Sequence, residues 1–245
     1  MALRAVLFDF GDTLLSTRLD WPRVLQQNAD SLVEALRPLL PGLDFPRLQR
    51  DFLAVRGEGK RRAARKHVET PATLSLERAL GLQGVRDPSP GLLQAGVDAF
   101  FAPEEAAYSI LTGVPEALAR LRALGLRLGV VSNATCGQLI RRALARRGLL
   151  YAFELVVVSA EEGMCKPEPE LMLRALARLG VAPGAAAMVG DRLETDVLGA
   201  GRAGLRSVLA DFFGDGAQPV APAPVPDAIV RHPEALVPLC RSWMR

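Results

Sequence analysis

Residues 5–14 read Ala5-Val6-Leu7-Phe8-Asp9-Phe10-Gly11-Asp12-Thr13-Leu14, a short apolar run closed by an acid and a glycine. The run is too short for a helix and suits a buried strand, and the glycine permits a tight turn where the strand stops. A second such run, Ala187-Met188-Val189-Gly190, leads into another acidic pair, Asp191 and Asp196. Both therefore place carboxylates at strand ends. In an open α/β sheet, ligands bind outside the carboxyl ends of the strands near a topological switch point, so acids this distant in sequence can converge. The two runs predict the halves of one magnesium and phosphate site.

From Val114 onward the pattern alternates. Helical periodicity covers Pro115 to Leu124, Cys136 to Arg147, Glu168 to Leu179 and Thr195 to Ala203, and short apolar strands fall at Leu126 to Val131, Leu155 to Val158, Ala187 to Val189 and Arg206 to Leu209. Such alternation implies a parallel sheet with right-handed crossovers. Between Leu15 and Ser109 no convincing strand is predicted. Asp20 can cap a helix with Pro22 in its first turn and a stripe of Leu25, Ala29, Leu32, Val33 and Leu36, stopped by Pro38, Pro41 and Gly42. Further helix starts are expected at Asp44 and Pro46, at Thr70-Pro71, and near Ser89-Pro90, the last running through Leu93, Val97 and Phe100. The prediction is an α/β protein: a three-layer Rossmann-like core with a central parallel sheet, residues 1–15 and 110–245, interrupted by an all-helical domain at 16–109. Gln218 to Pro226, rich in proline and alanine, reads as an extended tether to a last element at Ala228 to Leu239.

Composition excludes several classes. The 245 residues are 49% apolar, enough for a full core, and 30 basic residues nearly balance 27 acidic ones. The net charge of +3 and a pI near 9.0 do not by themselves imply a nucleic-acid partner. Three cysteines, Cys136, Cys165 and Cys240, are an odd number without metal-site spacing and suit a reducing compartment. Met1 leads directly into the first strand, without the pattern of a secretion signal, and no apolar run approaches the ~20 residues that span a bilayer. The expectation is a cytoplasmic protein, monomer or homodimer, with neither nucleic acid nor membrane as partner.

Taken one at a time, the polar residues near these strand ends have ordinary structural readings. Asp9 can bond nearby amides, Ser132-Asn133 can cap the following helix, and Lys166 in Cys165-Lys166-Pro167-Glu168-Pro169 can be a surface lysine beside a helix start. Asp191 and Asp196 can be a helix cap and a first-turn acid. Their joint placement at strand ends is what suggests chemistry. Phosphoryl transfer needs a nucleophile, a hydroxyl and amides for the phosphoryl oxygens, a cation for developing charge, and carboxylates for a metal, and each has a candidate here.

In this order the motifs resemble the haloacid dehalogenase-like superfamily of hydrolases, through residues 8–14, Val131-Ser132-Asn133, residues 166–169 and residues 189–196. The resemblance implies that the helical insert is a cap placed after the first motif. It implies Asp9 as nucleophile forming an aspartyl-phosphate, and Mg²⁺ held by Asp9, the Gly11 carbonyl and Asp191, with Asp196 behind them. Ser132, Asn133 and Lys166 would bind the phosphoryl group of a small phosphorylated substrate, and Lys166 would offset its charge. No histidine is required, so His67 and His232 read as incidental.

The chain departs from that pattern at one place. Where most phosphatases of the family carry a general acid two residues after the nucleophile, this chain has Gly11, with Asp12 next in line. Losing a positioned acid-base costs ~10² to 10⁴ in rate. The expectation is a phosphatase suited to good leaving groups, or one in which Gly11 opens a turn that swings Asp12 into the vacant role. The alternatives are a catalytically impaired protein that binds a phosphorylated ligand, and a haloacid dehalogenase, which dispenses with both acid and metal but has no use for the acidic pair after Gly190. In the insert, Trp21, Arg56 and the basic run from Lys60 to His67 are candidate substrate contacts, although a basic run is more often a solvated helix face.

Overall fold

A computed structural model describes residues 1–214 and 224–245. The chain opens with β1 (Ala5–Phe8) and β2 (Leu15–Ser16), then runs through four helices: α1 (Trp21–Leu36), α2 (Phe45–Lys66), α3 (Ala72–Gly81) and α4 (Pro90–Ala107). After β3 (Ser109–Ile110) come α5 (Val114–Ala123), β4 (Arg127–Ser132), α6 (Gly137–Arg146), β5 (Leu155–Val158), α7 (Ser159–Glu162) and α8 (Glu170–Leu179). The last part holds β6 (Ala186–Gly190), α9 (Leu198–Ala203), β7 (Arg206–Ala210), β8 (Ala228–Val230) and α10 (Leu236–Trp243).

Six strands form one parallel sheet in the order β5-β4-β1-β6-β7-β8. The chain builds outward from β1 to β5, then returns to the other side of β1 and builds outward again, which is the doubly wound order with its switch point between β1 and β6. All four residues of β1 and all five of β6 are buried, as expected of strands covered on both faces. On one face Val6 and Phe8 join an apolar cluster with Leu118 and Leu121 of α5, Leu139 of α6 and Leu236 of α10. On the other, Leu7 and Met188 pack among Leu171, Met172 and Leu176 of α8 and Ala200 of α9. The α/β class and three-layer architecture follow the expectation.

Several local expectations need correction. Leu15–Ser16 and Ser109–Ile110 pair as a two-stranded antiparallel ribbon at the root of the helical insert, too short to leave a periodic signal. In α1 the buried stripe includes Val24 and Asn28 instead of Leu25, which is 41% exposed. Asp20, Asp44 and Ser89 do cap their helices, accepting from Arg23, Arg47 and Leu92 N–H groups. The segment from Ala228 is not one element but β8 followed by α10. Of the predicted tether Gln218 to Pro226, residues 218–223 lie outside the described residues.

The insert is anchored to the parallel-sheet part by polar contacts of long sequence range. Arg142 of α6 pairs with Asp98 at 2.5 Å and Glu105 at 2.8 Å, both on α4. In the link between α2 and α3, Cys165 N–H donates to the His67 carbonyl at 2.8 Å and Ala72 N–H to the Thr135 carbonyl at 2.8 Å. His67 Nδ1 lies 2.6 Å from Glu168 Oε1, so this residue is engaged and not incidental. Together these contacts bring α2 and α4 over the carboxyl ends of β1 and β4.

Candidate active site

Register fixes the floor of the site. Phe8 stands opposite Val130 on one side and Val189 on the other, and the Asp9 amide donates to the Val189 carbonyl at 2.9 Å. One residue beyond Phe8, and two beyond Val130 and Val189, the strands bring Asp9, Ser132 and Asp191 to the rim of a cavity of about 660 Å³, whose wall includes Arg56 and Glu104 from the insert. Carboxylate oxygens of Asp9, Asp191 and Asp196 lie within 4.8 Å of one another, a set that could hold a metal ion. The carboxylates predicted from the two distant runs are thus brought together.

Lys166 is the centre of the charge balance. Its ammonium is buried and has three N–H donors, and it meets three oxygens: Asp9 Oδ1 at 2.6 Å, Asp196 Oδ1 at 2.7 Å and the Val131 carbonyl at 2.8 Å. Burial alone would lower its pKa, but Asp196 and Asp9 outweigh burial and hold it above the ordinary lysine value. Asn133 sets the position of this residue, accepting from the Lys166 N–H at 2.8 Å and donating to the Lys166 carbonyl at 2.9 Å. The Asn133 amide is therefore turned to the Lys166 backbone and does not cap α6. Ser132, the last residue of β4, is buried and lines the cavity.

Asp196 depends on a glycine. A Cβ on Gly190 would lie 2.3 Å from the Asp196 carboxylate carbon, so only glycine lets that side chain rest against the strand end. Asp196 Oδ2 also accepts from the Arg192 N–H at 3.1 Å, in a wide helical turn at Leu193–Val197 that precedes α9. Burial raises the Asp196 pKa to about 6, against the pull of Lys166, and the ion pair keeps it charged at neutral pH. Burial together with Asp9 and Asp196 raises Asp191 to about 7. Acidic oxygens this close repel one another, and a divalent cation is the species that would relieve them.

The nucleophile loop does not have the predicted shape. Gly11 has no positive φ; the left-handed residue is Asp12, at φ 49°. Asp12 tolerates this conformation because a short polar side chain can bond locally, and its Oδ1 accepts from the Thr17 N–H at 2.7 Å. A Cβ at position 11 would stand 3.0 Å from Thr17 Cγ2, a tight contact that a small shift of the Thr17 side chain would relieve. The loop's bridge runs from Asp12 N–H to the Leu15 carbonyl and from Leu15 N–H to the Phe10 carbonyl, so the Gly11 carbonyl takes no part in it. The expectation that Gly11 itself supplies an unusual turn is thereby corrected.

Other residues around the cavity had no sequence signal. Glu69 accepts from the Ser159 hydroxyl at 2.7 Å, 90 positions away, and its own N–H donates to the Gly163 carbonyl. Glu104 is held by the Tyr108 hydroxyl and by Asn28 Nδ2 at 3.2 Å. The Glu69–Ser159 and Asn28–Glu104 bonds are pairings of the folded chain, 90 and 76 positions apart, and no local spacing announces them.

The chain belongs to the haloacid dehalogenase-like hydrolases, whose family profile matches residues 3–204. It is 32% identical to a glyceraldehyde 3-phosphate phosphatase of Methanopyrus kandleri, with 98% of each chain covered. It is 31% identical to a ribulose-1,5-bisphosphate 5-phosphatase of Halopiger xanaduensis over 84% of each. Among solved structures it is similar to a 2-haloacid dehalogenase from Pseudomonas syringae, at a TM-score of 0.70 and 25% identity, covering 98% of this chain and 99% of that one. The protein is an enzyme of this hydrolase family. Among the described residues no helix is long and apolar enough to cross a membrane.

Proposed function

We propose that the protein is a phosphatase of small phosphorylated metabolites that works through an aspartyl-phosphate on Asp9, with Mg²⁺ bound at the acidic floor. The observation that carries this reading is the division of the Asp9 carboxylate. Lys166 holds Oδ1 at 2.6 Å, in a cavity that also exposes Asp191 and Ser132. The second oxygen attacks phosphorus, the ester P–O bond breaks and its electrons leave with the alcohol oxygen; water then cleaves the acyl phosphate. Lys166 holds the nucleophile in one orientation and balances its charge, and the Ser132 hydroxyl donates to a phosphoryl oxygen. Asp9, Asp191 and the Gly11 carbonyl would hold Mg²⁺, with Asp196 fixing Lys166 behind them. When bound, the ion stabilises charge developing on the phosphoryl oxygens.

The names of the relatives support phosphate esters over carbon–halogen bonds, as does the acidic trio, which a halide substrate would not require. No side chain at position 11 can protonate the leaving oxygen, and Asp12 is held by Thr17. We therefore read the enzyme as best suited to esters whose alcohols leave readily. We read residues 16–109 as a cap over the core formed by 1–15 and 110–245, because α2 and α4 supply Arg56 and Glu104 to the wall above Asp9. Three buried free cysteines fit the cytoplasm.

The test is hydrolysis of acetyl phosphate, an aryl phosphate and sugar phosphates with Mg²⁺, by wild type and Asp9→Asn. The reading requires Mg²⁺-dependent turnover that Asp9→Asn abolishes. Equal rates for the two proteins on every ester would refute it.

A further inference from the structure

Arg56 is a strong charge in the cavity wall that the proposed chemistry leaves without work. Its guanidinium lies among three aromatic rings, 4.4 Å from the centre of Phe100, 5.0 Å from Phe101 and 5.6 Å from Phe52. Rings attract a cation through their faces but accept no strong hydrogen bonds. The guanidinium has five N–H donors, and it makes a single long contact, from Nη2 to Thr135 Oγ1 at 3.5 Å. Its Nε is buried with no hydrogen-bond partner, and no carboxylate pairs with it among the described residues. Glu104, the nearest candidate on α4, is already engaged by Tyr108 and Asn28.

A half-buried cation whose Nε is buried and unbonded is costly, because the hydration lost there is not replaced. Burial accordingly lowers the pKa of Arg56, with Glu104 offsetting part of the effect. A guanidinium keeps its proton under such conditions, so the position stays cationic. One turn further along α2, on the same helix face, Lys60 also lines the cavity. Thr135, the single polar contact of Arg56, lies on the loop that carries Ser132 and Asn133 from the end of β4. The cationic wall and the phosphoryl-binding loop are thus adjacent parts of one cavity.

We propose that Arg56, assisted by Lys60, is a second anion subsite, and that the preferred substrate is a short phosphate monoester bearing another oxyanion, a carboxylate or a second phosphate, away from the ester that is cleaved. The proposal rests on the phosphatase reading for the cleaved end alone. The planar guanidinium fork matches either oxyanion with two parallel hydrogen bonds, which an ammonium cannot reproduce. Specificity then comes from the insert and chemistry from the strand ends.

Binding and turnover separate the two claims. With Asp9→Asn protein and Mg²⁺, calorimetric titration compares 3-phosphoglycerate, ribulose 1,5-bisphosphate and glycerol 3-phosphate. The carboxylate and bisphosphate arms identify which oxyanion is preferred, and the third carries no second anion. At least one of the two ligands with an anionic tail is expected to bind about tenfold or more tighter than glycerol 3-phosphate, the range for a charge-assisted hydrogen bond. Adding Arg56→Gln should collapse that ratio toward one, Arg56→Lys should restore part of it, and Lys60→Gln should reduce it less. In an Asp9-intact background the same substitutions should change the ratio of kcat/KM between ester classes mainly through KM. Thermal melts confirm folding of each variant, and Lys60→Gln, at an exposed position, keeps the comparison open if Arg56→Gln does not fold. No preference in the wild-type cavity, or an equal loss for all three ligands with Arg56→Gln, overturns the subsite. Preferential binding without hydrolysis of any ester would instead overturn the phosphatase reading and leave the subsite standing.

Discussion

Asp12 gives one carboxylate oxygen to the Thr17 N–H, 2.7 Å away, across the turn that follows the proposed nucleophile. This bond, with the left-handed backbone of Asp12 at φ 49°, makes the residue a clamp on the loop. The same neighbour, Thr17, would crowd a side chain at position 11, with its Cγ2 3.0 Å from a Cβ there. Both positions of the Gly-Asp exchange therefore face Thr17.

Restoring an acid at position 11 should work best with a second change that relieves Thr17. In Gly11→Asp alone the new Cβ meets Thr17 Cγ2 at 3.0 Å. Gly11→Asp with Thr17→Ser removes that methyl group and is expected to raise kcat on alkyl phosphates, within the ~10² to 10⁴ range of a positioned acid-base. Acetyl phosphate should respond least, since its leaving group needs little protonation. Asp12→Asn keeps both the acceptor and the tolerance for positive φ, so it should cost little activity. Asp12→Ala should destabilise by about 1–2 kcal/mol. A large loss in Asp12→Asn with folding intact would reassign the proton to Asp12.

Lys166 should matter more to stability than the residue it orients. Lys166→Met leaves Asp196 buried and facing Asp9 without a counter-charge, and breaking such a pair costs about 3–5 kcal/mol. Asp9→Asn leaves the Lys166–Asp196 pair intact and removes a repulsion on Asp191. Denaturant midpoints should therefore fall sharply for Lys166→Met and hold or rise for Asp9→Asn, while both lose turnover. Similar stability losses in the two variants would contradict this division.

Metal binding should be coupled to pH through Asp191. Its folded pKa, about 7, lies above the ordinary carboxylate value, so between about pH 4 and 7 the native protein holds a proton that the unfolded chain has released. Without metal, this group makes the protein less stable as pH rises through that window. Mg²⁺ binds the deprotonated carboxylate, so the rise in Tm on adding MgCl₂ should be larger at pH 8 than at pH 5.5. Asp191→Asn should remove most of the increment at both. A Mg²⁺ effect independent of pH would count against Asp191 as a ligand.

The parallel sheet and its two acidic strand ends were legible because the signals are local: apolar runs of strand length, glycines at their ends and acids after them. Asp9, Asp191, Asp196 and Lys166 each had an ordinary reading alone, and only their joint placement at strand ends and helix starts pointed to a site. What escaped was set by contacts between distant segments. The Asn133 clamp on Lys166 spans 33 positions, and the environment of Arg56 is built from Phe52, Phe100, Phe101 and Thr135, which no spacing links. The turn at Gly11 was misread for a subtler reason. Glycine signals conformational freedom, yet the left-handed residue of this turn is its neighbour Asp12, which the Thr17 N–H holds.

Gly190 offers the sharpest single-atom test of the site. A methyl group there would lie 2.3 Å from both the Cγ and Oδ2 of Asp196, too close for any small adjustment to absorb. In Gly190→Ala, Asp196 must leave its place, giving up the Arg192 amide and the 2.7 Å ion pair that steadies Lys166. Overpacking costs about 1–3 kcal/mol by itself, and the displaced buried charge adds to that. Gly201→Ala in α9 is the control, since a Cβ there meets nothing within 4 Å, and it should be neutral or stabilising by about 0.5–1 kcal/mol. Urea midpoints and initial rates on acetyl phosphate should fall together for Gly190→Ala and for neither reason in Gly201→Ala. If Gly190→Ala retained wild-type turnover, Asp196 would have no part in positioning Lys166.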